Sequence, residues 1–85
     1  MKLEVGKLYK RIDGGWLYYS DKGTTYDGSG DKIFLFVKEI DVVRNDEMMK
    51  KTIYFYDNKL CYAYFPPHVY KEIEDGNVFE EVSDL

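Results

Sequence analysis

"YFPPHVYKEIE", residues 64–74, decides how the rest of this chain is read. It holds both prolines and the one histidine, and strand-forming aromatics crowd both sides of it. Proline has no N–H to give a ladder and a fixed φ, so no regular strand runs through it. Two readings fit. In the first, the prolines break the sheet at a corner, and a short strand "KEIE" resumes after "PPHVY". In the second, a helix starts at the prolines and stops at Gly76, with Val69 and Ile73, four apart, on one face. The first makes the chain all-β and the second α+β. The first is the expectation here, because a ten-residue segment with two β-branched members is a poor helix.

Outward from that stretch, turn signals separate short strand candidates, as in a small barrel or sandwich. "KKTIYFYDNKLCYAYF" (50–65) reads as a hairpin turning at Asp57-Asn58-Lys59, since Asn tolerates the left-handed conformation. Along its second arm Leu60, Tyr62 and Tyr64 share one face, and Cys61, Ala63 and Phe65 the other. "KIFLFVKEIDVV" (32–43) is apolar on both faces in its first half and is expected to be central. "RNDEMM" after it reads as a polar turn. The glycine-rich stretch 13–31 reads as a long irregular hairpin, "WLYYS" and "TTYD" folding about Asp21-Lys22-Gly23. "KLEVGKLYKRI" (2–12) is the first strand. The expectation is one domain over 1–76, followed by an acidic tail or short edge strand over 77–85.

The element order and two segments resemble the Src-homology-3-like small barrels. "KLYKRI" (7–12) is similar to that family's ALYDY segment through Leu8 and Tyr9. "PPHVYKEI" (66–73) is similar to its P-S-N-Y-V segment through Pro67 and Tyr70. The resemblance implies an all-β barrel of five or six strands, with a 3₁₀ turn at 66–70. The tryptophan that opens the third strand of peptide-binding members has no counterpart in "MMKKTIYFY", and the second ALYDY tyrosine falls at Arg11. The chain also looks like the short orphan proteins of tailed-phage genomes.

Composition narrows the function classes. Eighty-five residues, 45% of them apolar, support one folded domain. A lone Cys61 cannot form an internal disulfide, which suits a reducing compartment. No long apolar run reads as an anchor, so the protein is expected in the cytoplasm, off the membrane. The net charge of −4 argues against a general nucleic-acid binder. Residues 1–12 nevertheless balance to +3, while residues 72–85 hold six acids and no base.

Catalytic chemistry would rest on Cys61 and His68, and a mid-strand cysteine reads as an inert packed thiol. "DGSGD" (27–31) sets carboxylates at alternate positions, but lysines fall where a calcium loop needs Gly and Glu. No cofactor, metal or enzymatic activity is expected. The aromatic set says most. Fifteen Tyr, Phe and Trp exceed what a small core buries, and exposed ones anchor interfaces. The expected partner site is Trp16, Tyr18, Tyr19, Pro67 and Tyr70, gathered on one side, making the chain a non-catalytic protein-binding module. Two alternatives stand beside it: a nucleic-acid-binding barrel using Lys50, Lys51 and Lys59, and a self-assembling structural subunit.

Overall fold

The computed structural model describes residues 2–12, 16–27 and 32–82, and of Trp16, Tyr26 and Asp27 the backbone alone. The order is β1 (Leu8–Arg11), β2 (Trp16–Ser20), β3 (Gly23–Asp27), β4 (Ile33–Arg44), β5 (Glu47–Tyr56), β6 (Lys59–Phe65), α1 (Pro67–Glu74) and β7 (Phe79–Val82). All seven strands form one antiparallel sheet in the order β3-β2-β6-β5-β4-β1-β7. The all-β expectation holds apart from one short helix, but the sheet is not closed into a five- or six-stranded barrel: β3 and β7 remain its two edges.

Turn chemistry sets the registers. Asn45 and Asp46 both have positive φ (54° and 61°), as do Asp57 and Asn58 (55° and 60°). Two consecutive left-handed residues make the tight turn whose twist matches paired strands, and Asn and Asp are the side chains that tolerate it. "RNDEMM" is therefore a two-residue hairpin turn entering β5, rather than a longer polar loop. Within the glycine-rich stretch β2 and β3 pair as read, from Trp16↔Asp27 to Ser20↔Gly23, while residues 13–15 and 28–31 lie outside the described residues. β4 runs between β5 and β1, as its two-sided apolar pattern requires.

The register of β4 on β5 shifts between Phe36 and Lys38, so Val37 is a bulge. Phe34 and Phe36 before it and Glu39 and Asp41 after it thus share one face of the sheet, here the inner one. Tyr9, Tyr18, Thr52, Tyr54, Cys61, Ala63, Phe65 and Phe79 fill that face and are all buried. Phe65 on β6 meets Phe79 on β7, with ring centroids 6.2 Å apart, although three strands lie between them. Only a sheet coiled round its inner face brings those rings together.

The prolines start a helix, correcting the 3₁₀ turn at 66–70 and the strand "KEIE". Pro66 is the N-cap and Pro67 the first helical residue, where a missing N–H costs nothing. The stop is equally explicit. Gly76 at φ +80° donates its N–H to the Ile73 carbonyl (3.0 Å), and Asn77 donates to that of Glu72 (3.0 Å). This pair of hydrogen bonds across a left-handed glycine satisfies the last carbonyls. Ile73, 1% exposed, with Val69 and Tyr70 beside it, packs on the inner face. Burial of that stripe outweighs the weak helix propensity of the segment.

Candidate functional site

A sheet with one face packed on a core is expected to alternate apolar-in and polar-out. This one does not. Register places Leu17 and Tyr19 of β2, Leu60, Tyr62 and Tyr64 of β6, Lys51, Ile53 and Phe55 of β5, and Leu35 and Ile40 of β4 on the outer face. Cross-strand pairs Phe55↔Leu60, Ile53↔Tyr62 and Leu35↔Phe55 make the surface continuous. Several of these side chains are well exposed: Leu60 at 54%, Leu17 at 48% and Phe55 at 44%. An open depression of about 590 Å³ lies over Lys51, Ile53, Phe55, Leu60 and Tyr62, with Asp21, Asn58 and Lys59 also lining it.

At one end of this face, aromatic rings and cations interleave. Tyr19 and Tyr62, directly opposite on β2 and β6, stack with centroids 5.3 Å apart and planes 15° apart. Tyr64 meets both edge-on. The Arg44 guanidinium lies over the Tyr64 ring at 4.1 Å and donates from Nη2 to the Tyr19 hydroxyl at 2.9 Å. Lys51 Nζ sits 4.4 Å over Tyr62. Ring quadrupoles hold these cations in place of carboxylates.

The inner face carries a smaller cleft, about 220 Å³, between α1 and the β4–β5 hairpin, lined by Asp41, Met48, Phe65, Pro67, Tyr70 and Glu74 among others. The Tyr70 hydroxyl donates to Glu39 Oε1 at 2.6 Å, and Lys50 pairs with Asp41 at 2.5 Å. Burial first, then the bond to Glu39, pushes the Tyr70 hydroxyl well above its ordinary range. The bond to Asp41 likewise raises the Lys50 ammonium.

Among the described residues, Tyr18, Tyr19, Pro67 and Tyr70 do not gather into one patch. Tyr18 is 6% exposed in the core, in edge contact with Tyr54 and Tyr56. Tyr19, its neighbour, points to the outer face, while Tyr70 and exposed Pro67 lie on the inner side with α1. The side chain of Trp16 is outside the described residues, as are residues 28–31 of the "DGSGD" loop. Of the three lysines, Lys51 and Lys59 both line the outer depression, Lys59 lying 4.0 Å from Asp57, while Lys50 is on the inner face with Asp41. Arg44, Phe55 and Leu60 escaped sequence reasoning. The signal for Phe55 and Leu60 was present: "IYFY" and "LCYAYF" lack the polar member of an alternating pair.

Cys61 is fully buried, and desolvation raises its thiol; His68 is exposed on α1. Among the described residues no group of three or more His, Cys, Asp or Glu is placed to hold a metal, and no helix is long and apolar enough to cross a membrane. No protein-family model, curated protein or solved structure matches the chain.

Proposed function

We propose that this chain is a non-catalytic protein-binding module, a small regulator of the kind a phage directs at a host protein, and that the outer face of its sheet is the contact surface. One observation carries the reading. The second face of β5 and β6 is apolar and aromatic, and no element of the described chain covers it. Contiguous exposed apolar surface of this sort marks interaction sites. Tyrosine and phenylalanine give large contact area at small entropic cost, and Arg joins them in the energetic centres of interfaces. The test is capture from nuclease-treated lysate of the source cells by wild type, Phe55→Asp and Leu60→Asp. A discrete protein retained by wild type and lost by both variants supports the reading. Equal retention by all three refutes it.

A second reading has its own observation, the alternation of Tyr19, Tyr62 and Tyr64 with Lys51 and Arg44, which suits single-stranded nucleic acid. That mode requires retention that disappears with nuclease and weakens steeply with salt.

A further inference from the structure

The outer face has two chemically distinct ends. One is aliphatic and aromatic, formed by Ile53, Phe55 and Leu60. The other carries Arg44 and Lys51, and among the described residues neither lies within 4.0 Å of a carboxylate. Elsewhere on the sheet Lys7, Lys10, Lys50 and Lys59 each have an acid within that distance. Arg44 is fixed by one bond to the Tyr19 hydroxyl and by the Tyr64 ring. A guanidinium has five N–H donors in a rigid fork, so donors remain for a carboxylate, already positioned. Pre-positioning lowers the entropy that a charge-assisted contact must overcome.

We infer that the partner presents a short amphipathic protein segment, with apolar side chains seated on Ile53, Phe55 and Leu60 and carboxylates meeting Arg44 and Lys51. The inference rests on the protein-binding reading and adds the chemistry of the partner. A nucleic acid satisfies only half of the surface. Phosphates suit the two cations, but Tyr19 and Tyr62 spend a ring face on each other, Tyr64 spends one on Arg44, and the aliphatic end offers no ring ladder for bases.

The test is selection of binders from an unbiased library of short random peptides, followed by affinity measurement on synthetic copies with wild type, Lys51→Glu, Arg44→Glu and Phe55→Ser. Melting temperature and circular dichroism confirm that each variant is folded. The inference predicts enriched peptides that combine Asp or Glu with Leu, Ile or Phe. It also predicts that each charge reversal lowers their affinity about tenfold, and that peptides with Lys in place of the acids regain affinity for Lys51→Glu. Enriched peptides that are neutral or basic, yet lost on Phe55→Ser, overturn the acidic chemistry and leave the binding reading standing. Peptides indifferent to Phe55→Ser, or none enriched, overturn both. Oligothymidine bound in a Lys51-dependent way, with no peptide enriched, also overturns both and assigns the face to nucleic acid.

Discussion

Thr52 is 1% exposed in the middle of β5, opposite Glu39 on one side and Ala63 on the other, and its hydroxyl has no hydrogen-bond partner among the described residues. A buried hydroxyl stripped of water without a partner costs about 1–3 kcal/mol. Thr52→Val keeps the shape and removes the cost, so it is predicted to stabilise the fold by about 1 kcal/mol, a rise of about 4–8 °C in Tm for a domain of this size. Tyr70 makes the opposite case. Tyr70→Phe leaves Glu39 Oε1 without its donor, for a predicted loss of about 1–3 kcal/mol in urea unfolding. The sign of the pH effect follows from the raised hydroxyl. The unfolded chain releases this proton near pH 10 while the native state still holds it, so this contribution is complete below about pH 10 and falls as pH rises beyond it. The Tm gap between wild type and Tyr70→Phe therefore narrows above pH 10, and a constant gap contradicts the account. At this scale the sequence is least legible. Tyr18 and Tyr19 are adjacent and identical, and only the pairing Tyr19↔Tyr62 decides which enters the core.

Among the elements, hairpins were the most legible and the proline segment the least. "DNK" between two apolar runs carries its turn chemistry locally, so β5 and β6 could be found without tertiary information. Asn58 sits at φ 60°, and a β-branched residue in the left-handed region costs about 1–2 kcal/mol. Asn58→Val is thus predicted to destabilise by that amount, with Asn58→Gly at least as stable as wild type in the same unfolding assay. The segment 66–76 carried both helix punctuation, Pro66-Pro67 and Gly76, and strand-forming residues. What settled it lies elsewhere in the chain: the inner face of a coiled sheet offers Val69, Tyr70 and Ile73 a place to pack. Ile73→Ala, in a nearly fully buried site, is predicted to cost about 2–5 kcal/mol.

For the molecule as a whole, the expected barrel and the observed sheet differ in how the chain uses its aromatics. The inner face takes Tyr9, Tyr18, Phe34, Phe36, Tyr54, Phe65 and Phe79 into one core. The outer face keeps Tyr19, Phe55, Tyr62 and Tyr64 at the surface with Leu17 and Leu60. The surplus of aromatic residues was plain in the sequence, but their division between faces depends on strand register and sheet order, which no local pattern specifies. The same division yields a prediction about stability and binding together. Phe55→Asp and Leu60→Asp replace exposed side chains, so they are predicted to change stability by less than about 1 kcal/mol while abolishing partner binding. The most direct measurement is a titration of methyl-labelled protein with the captured partner or a selected peptide, followed by NMR. The account predicts shifts at the methyl groups of Ile53 and Leu60 on the outer face, with those of Ile73 and Leu3, both buried in the core, unmoved. Shifts confined to Ile73, Val69 and Met48 on the inner side would contradict it.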